Sequence, residues 1–350
     1  MKNLFLLFAF ALFSLSAFGQ GIDFQDLTPE EAIAKAKAES KHVFVDVYTD
    51  WCGPCKMMDA QVFPLKEVGD YFNPRFVSIK LNAEKGETGP AFANKFGVKA
   101  YPTFLILDGD GNLVHMFAGG ILDITFIDKV DVAFDSKKAF GALKKRYDAG
   151  EQDKKFMATY IQALQNTHTI EVTKMVEEFY ATLSDEEKVF EEALFIFEVY
   201  APFGSDKEKF MTENRDKFRE VAGREKVDSI LKMKYVMHYS KILQGYDRRT
   251  TKEEIEKIGN KAASIELLNA SILSAYQAAA IAKVLGTGEE ALRETIKTAV
   301  SNVSDREKDI FLYFVIPAFR DVWSKEQKDE LIELVSDEST KGYIIRSANR

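Results

Sequence analysis

The sequence predicts an α/β domain at the amino end followed by an all-α, helical-repeat-like domain. Runs of β-branched and aromatic residues alternate with helical stretches only as far as about residue 134. Beyond about residue 135 strand patterns vanish and helix-start signals recur. A chain of 350 residues also exceeds one ordinary domain and suits two. With 46% hydrophobic and 29% charged residues it is globular rather than disordered. The expected division is a leader over 1–19, an α/β domain over 20–135 and a helical domain over 136–350.

The leader comes first. Met1-Lys2-Asn3 gives a positive start, and residues 4–18 are apolar apart from Ser14 and Ser16. Ala17-Phe18-Gly19 then places small residues at the −3 and −1 positions of a signal-peptidase site, so cleavage is expected near Gly19-Gln20. The competing reading is an uncleaved anchor, but the apolar run is shorter than the about 20 residues that span a bilayer. The stretch 272–285 is interrupted by Gln277 and Lys283, so no integral span is expected in the mature chain. The expectation is an exported protein, periplasmic or extracellular.

The formal charge is −8, and no Lys/Arg cluster stands clear of neighbouring acids, so nucleic acid is not an expected partner. There are two cysteines, Cys52 and Cys55, and four histidines, which rules out a four-cysteine zinc site by count. Exported proteins usually place cysteines in structural bridges. A Cys-x-x-Cys closes too small a loop to constrain much chain entropy, so this pair points to chemistry instead.

Thr28-Pro29-Glu30-Glu31 is a helix start, with a Thr cap, Pro at the first helical position and Glu three residues after the cap; the helix should reach about Glu39. Residues 43–48 read as a buried central strand. They lead into Trp51-Cys52-Gly53-Pro54-Cys55 and a helix through Lys56-Met57-Met58-Asp59. Strands are expected over 75–81 and 103–107, with a helix over 92–96 between them. Asp108-Gly109-Asp110-Gly111-Asn112 is a hairpin turn into a strand over 113–117. A last helix should cover about 123–134.

On these residues the segment from about 22 to 134 resembles thioredoxin. Trp51-Cys52-Gly53-Pro54-Cys55 is that family's active-site motif as it stands. Forty-seven residues beyond Cys55, Ala100-Tyr101-Pro102-Thr103 looks like its cis-proline loop, in the Tyr-Pro-Thr form also seen in protein disulfide isomerases. Asp46 and Lys80 fall on the family's buried aspartate and its lysine partner. The resemblance implies a thioredoxin fold, a central mixed sheet flanked by helices. Two departures stand out. Residues 61–73, with Pro64 expected to break or kink the helix, look more like DsbD-type carboxy-terminal domains. Tyr48 replaces a tryptophan common in thioredoxins.

The chemistry follows from position. A helix amino terminus stabilises a thiolate. Cys52, expected at the exposed start of its helix, is the nucleophile, and Cys55, one turn later, is the resolving thiol. Gly53-Pro54 sets the turn between them. The resemblance implies that Asp46 acts through Lys80 and water to move protons at Cys55; a carboxylate in an apolar strand is costly unless paired or functional, and a plain Asp–Lys pair is the alternative. Pro102, if cis, lays the loop with Tyr101 against the cysteines, where a substrate peptide would bond its backbone. Trp51 either shields the pair and contacts substrate or simply packs.

Other motifs carry less. Asp108-x-Asp110-x-Asn112 lacks the glycine and the bidentate Glu of a calcium loop. A metal site is not expected, and the only redox group is the Cys52–Cys55 pair itself. His168 and His238 lack any acid–nucleophile context. Sequons at Asn269 and Asn302 fall in helical contexts.

From about residue 135, Ser184, Ser205, Ser304 and Ser324 each begin a capping box, and Thr251 and Thr287 open two more helices. Gly150, Gly204, Gly223, Gly245 and Gly286 mark helix ends. About ten helices of 10 to 20 residues are expected as an irregular helical repeat, since the tetratricopeptide signature is absent. Its aromatics read as helix cores, with a peptide groove as the alternative. The whole predicts an exported thiol–disulfide oxidoreductase that reduces protein disulfides. Its partners would be disulfide-bearing proteins and a membrane or thioredoxin-type electron donor, with the helical domain recruiting partner or substrate. An oxidase or isomerase, and a helical binding protein whose cysteine pair senses or tethers, are the alternatives.

Overall fold

The computed structural model describes residues 21–168, 172–288 and 290–348, so the expected leader and its cleavage site lie outside the described residues. The chain divides into two compact units between Ala181 and Thr182.

In the first unit, α1 (Pro29–Glu39) starts as predicted: the Thr28 hydroxyl accepts from the Glu31 amide while the Glu31 carboxylate accepts from the Thr28 amide. There follow β1 (His42–Tyr48), α2 (Gly53–Gln61), α3 (Lys66–Phe72), β2 (Phe76–Asn82), α4 (Thr88–Lys95), β3 (Thr103–Leu107), β4 (Leu113–Ala118) and α5 (Phe126–Asp131). The sheet order is β2-β1-β3-β4, with β1 parallel to β2 and antiparallel to β3, and β3 antiparallel to β4. This is the mixed sheet the sequence implied. Val43 to Val47 are all buried, as an inner strand requires. Phe44, Phe72, Phe104 and Phe126 fill the core beside it, with the Phe44 and Phe104 rings stacked at 5.8 Å and those of Phe72 and Phe126 at 5.5 Å. α2 ends at Gln61, and Pro64 sits in the turn before α3, which is the expected break. Asp108 Oδ1 accepts from the amides of Asp110 and Asn112 at 2.9 Å each, so this segment is the predicted turn.

The first unit continues past the residue-135 boundary expected from the loss of strand signals. α6 (Phe140–Asp148) and α7 (Lys154–Thr167) lie against β4, and α8 (Thr173–Ala181) follows α7. β4 is an edge strand, and its close approach to α6 depends on a glycine: a Cβ on Gly141 would lie 1.9 Å from the Leu113 carbonyl oxygen. His115 Nδ1, buried in β4, accepts from the Phe140 amide at 3.1 Å and ties the first turn of α6 to the sheet. Burial drives the His115 pKa down to about 4, so the ring is neutral.

The second unit is helical: α9 (Leu194–Val199), α10 (Asp206–Glu213), α11 (Arg215–Ala222), α12 (Arg224–Leu243), α13 (Lys252–Ser264), α14 (Ile272–Leu285), α15 (Glu290–Val300), α16 (Asp305–Ala318), α17 (Lys325–Ile332) and α18 (Glu338–Ala348). Consecutive helices pack on one another, as in α11 with α12, α13 with α14, and α16 with α17. Ser205, Thr251, Ser304 and Ser324 all cap helices as predicted. The five glycines named as helix ends all have positive φ.

Three expectations need correction. Among the described residues beyond 135 there are thirteen α-helices of 6 to 20 residues, more and shorter than expected. The Ser184 box makes both its hydrogen bonds but opens only a 3₁₀ turn, because Phe190 turns extended at ψ 141°. Asn269 and Asn302 lie in the connections between helices rather than within them. Part of the aromatics are core: Phe195, Phe197, Phe311 and Trp323 are buried, while Phe190, Tyr200, Phe203, Tyr313 and Phe314 are half-buried.

Candidate active site

β1 and β2 deliver a carboxylate and an amine to the same place. Asp46 and Lys80 are register partners across the parallel β1–β2 pair, and Lys80 Nζ lies 3.5 Å from Asp46 Oδ2. Asp46 is 1% exposed, and its Oδ1 has no hydrogen-bond partner. Burial pushes the Asp46 carboxyl up to about 7, against the pull of Lys80 and with a further push from Asp59. Asp59 is the residue that sequence reasoning missed. It stands on α2 four residues after Cys55 and also pairs with Lys80. The Lys80 amine therefore sits between two carboxylates, with the rings of Tyr48, Phe24 and Phe63 at 5.0 to 5.5 Å. The ring of Tyr48, the residue that departs from the common tryptophan, thus contributes a cation–π contact to this lysine.

The end of β1 feeds directly into α2. Cys52 is its N-cap, Pro54 occupies the first turn, and Cys52 and Cys55 form a disulfide with their Cα atoms 5.3 Å apart. The Cys55 amide donates to Cys52 Sγ at 3.1 Å, so a helix-terminal N–H is aimed at the sulfur expected to be the nucleophile. Cys52 is 2% exposed, contrary to the exposed position expected for it, because its sulfur turns inward to bond Cys55. The exposed group is Trp51, at 66%. Its ring meets Tyr101 edge-on at 5.8 Å, and its indole N–H donates to the Glu84 carboxylate at 3.0 Å. Trp51 is thus held upright at the surface rather than packed into the core. Glu84 is a second residue that sequence reasoning missed, since it lies 33 positions from Trp51 on the loop after β2.

The Tyr101–Pro102 peptide is cis, as the loop motif implied. The Pro102 carbonyl accepts from the Gly119 amide at 2.9 Å, which joins this loop to the end of β4. Gly120 then sits against the motif, where a Cβ would come within 3.1 Å of Pro54 Cβ. Gly53 has open space beside it, so bare backbone flanks Cys52. All nine residues singled out from the sequence thus fall on β1, β2, the turn into α2 and its first turn, and the loop before β3. Among the described residues no three His, Cys, Asp or Glu side chains converge to hold a metal. His168 caps α7 in the left-handed conformation, and His238 stacks on Phe203 at 4.3 Å.

Comparison with known proteins agrees with this geometry. Residues 29–131 match the family model described as a thioredoxin-like domain. The chain is 30% identical over 91 residues to a thioredoxin of Chlorobaculum thiosulfatiphilum, covering 26% of this chain and 78% of that protein. It is 36% identical over 83 residues to the thiol:disulfide interchange protein DsbD of Pseudoalteromonas atlantica, covering 23% of this chain and 14% of that protein. A solution structure of a proposed disulphide-isomerase from Bacteroides thetaiotaomicron is 41% identical, with a TM-score of 0.32 over 34% of this chain and 97% of that one. The chain spans about half the length of the curated relatives it matches first. With the active-site motif, the cis-proline loop, the Asp46–Lys80 pair and the mixed sheet in one unit, the chain belongs to the thioredoxin family.

Proposed function

We propose that the protein is an exported thiol–disulfide oxidoreductase that reduces disulfides in other proteins. The observation that carries this reading is the Cys52–Cys55 disulfide at the amino end of α2, in the same unit as cis-Pro102 and the buried Asp46. In the reduced protein the Cys52 thiolate, favoured by the helix terminus, attacks one sulfur of a substrate disulfide. A mixed disulfide forms and the first substrate sulfur leaves as a thiolate. The Cys55 thiol gives up its proton towards Asp46, and its thiolate attacks Cys52 Sγ. The Cys52–Cys55 disulfide forms, the second substrate thiolate leaves, and the substrate has gained two electrons. Asp46 suits the proton transfer because burial holds its pKa near 7, where it can both take and return a proton. Lys80 orients that carboxylate and Asp59 shares the lysine.

The protein returns to its dithiol by taking two electrons from an outside thiol donor, either a thioredoxin-type protein or a membrane conduit of the DsbD kind. Export is supported by the amino-terminal sequence pattern, and the second unit is the candidate recruiter of partners. The test is the reduction potential of Cys52–Cys55, equilibrated against dithiothreitol. A value near about −270 mV is expected for a reductase. A value between about −120 and −180 mV makes the protein an oxidant or isomerase. Retained turnover in Cys52→Ser refutes the nucleophile assignment.

A further inference from the structure

A cleft of about 460 Å³ opens beside the redox motif, wholly within the first compact unit. It is lined by the end of β4 and its following loop, by α5 and the turn after it, and by α7. Thr159, Gln162, Ala163 and Asn166 recur at helical spacing, so a single stripe of α7 faces the cleft. The Gln162 and Asn166 amides on this stripe are exposed, while Phe156, Tyr160, Ile161 and Leu164 anchor the other side of the helix in the core. Lys129 and Lys138 add two positive charges, and no carboxylate appears among the described lining residues. Asp135 is 3.9 Å from Lys138, but the Lys138 side chain is largely in water and that of Asp135 partly so, where such a pair is weak.

The cleft runs up to the chemistry. Gly119 and Gly120 form part of its lining, Gly120 abuts Pro54, and the Ile121 amide donates to Met58 Sδ on α2 at 3.2 Å. Lys138 and the α7 stripe lie beyond residue 131, where the match to the thioredoxin-like family model ends. This side of the active site is therefore built by the chain's own extension.

We propose that this cleft binds an acidic, extended segment of the protein whose disulfide is presented to Cys52–Cys55, an inference that rests on the thiol–disulfide reading. Carboxylates of the segment pair with Lys129 and Lys138. The Gln162 and Asn166 amides, each both donor and acceptor, bond its backbone. Ile121 and Val132 receive an apolar side chain. Charge complementarity at two partly solvated lysines sets which partner docks and how fast it arrives.

The test is binding of a linear, cysteine-free peptide of Glu, Leu and Asn, compared with its counterpart carrying Lys in place of Glu, to the full oxidised protein by titration calorimetry. The acidic peptide should bind about tenfold more tightly than the basic one at ~0.1 M salt. Lys129→Glu combined with Lys138→Glu should invert that preference; both side chains are exposed, so the fold is not at stake. The milder Lys129→Gln with Lys138→Gln should abolish it. Gln162→Ala with Asn166→Ala should weaken both peptides alike. Equal affinities in the wild type, no binding of either peptide, or a preference unchanged by charge reversal overturns the proposal. Turnover of the uncharged hydroxyethyl disulfide by the wild type is measured beside it. Its absence refutes the redox reading, while the peptide titrations still decide the cleft.

Discussion

Replacing Asp46 by Asn separates the cost of burying a charge from the packing around it. The Asp46 carboxyl titrates near 7, against an ordinary value of 3.8, because burial disfavours its ionised form. A group whose pKa folding raises holds its proton more tightly in the folded state. Its stabilising contribution is complete below about 3.8 and is lost as pH rises through about 7. The gap of roughly three units corresponds to about 4 kcal/mol at high pH, and Asn escapes that penalty while keeping the shape of the side chain. The loss of a partner for Lys80 reduces the gain. Asp46→Asn should therefore be more stable than the parent by about 2 to 4 kcal/mol at pH 9, and within about 1 kcal/mol of it at pH 4. The assay is urea unfolding of the oxidised protein, read through deuterium labelling of the β1 and β2 amides. That readout is local and does not treat a two-unit chain as two-state. A variant destabilised at pH 9, or changed equally at both pH values, refutes the argument from desolvation and makes Asp46 an ordinary ion-pair partner.

Asp59→Ala leaves Lys80 to Asp46 alone, so the Asp46 carboxyl should titrate lower; ¹³C chemical shifts of that carboxyl against pH measure it, and an unmoved midpoint means Asp59 is uncoupled. His115 has its pKa lowered by burial from 6.5 to about 4, so it binds protons more readily unfolded than folded. The first unit should therefore lose up to about 3 kcal/mol as pH falls from 6.5 towards 4. His115→Gln should flatten that decline, and an identical slope in both proteins counts against the histidine. Gly120→Val drives a side chain into Pro54 and should slow reduction of protein disulfides on the order of tenfold; unchanged kcat/KM would show that this approach carries no constraint.

Legibility followed range. The caps at Thr28, Ser205, Thr251, Ser304 and Ser324 are local hydrogen bonds between residues three apart, and the sequence announces them. Cys52, Cys55 and Pro102 were legible because fixed spacing and backbone chemistry define them. Asp46 and Lys80 could be paired through resemblance, and the strand register then brings them together. Asp59 had half a signal: it is four residues from Cys55 on one helix, but its partner Lys80 lies on β2, and nothing local names that strand. Glu84 had none, since its contact to Trp51 depends on where the loop after β2 lands. The burial of Cys52 depends on the disulfide and its surroundings rather than on helix position. α6 and α7 were legible as helices but not as part of the first unit, because docking on β4 is a tertiary event.

That docking has a physical motive in β4. Among the described residues the strand pairs only with β3, and an edge strand presents unpaired amides and carbonyls that invite another chain to add to the sheet. Here the amino end of α6 comes so close that Gly141 has no room for a Cβ beside the Leu113 and Val114 carbonyls. The clash in Gly141→Ala is with backbone, which cannot rotate away, so the helix must lift from the strand or the strand must bend. The His115–Phe140 hydrogen bond breaks in the first case, leaving a buried acceptor unmet at about 1 to 3 kcal/mol. Deuterium exchange of the β4 and α6 amides should rise selectively in Gly141→Ala while β1 and β2 stay protected, and the lifted edge should promote self-association visible in light scattering. The cleft lined by α7 should widen with it, so that the preference for an acidic peptide falls even though Lys129, Lys138, Gln162 and Asn166 are untouched. Unchanged exchange at β4, with the peptide preference intact, would mean that α7 is positioned without α6 and that the edge of the sheet is protected some other way.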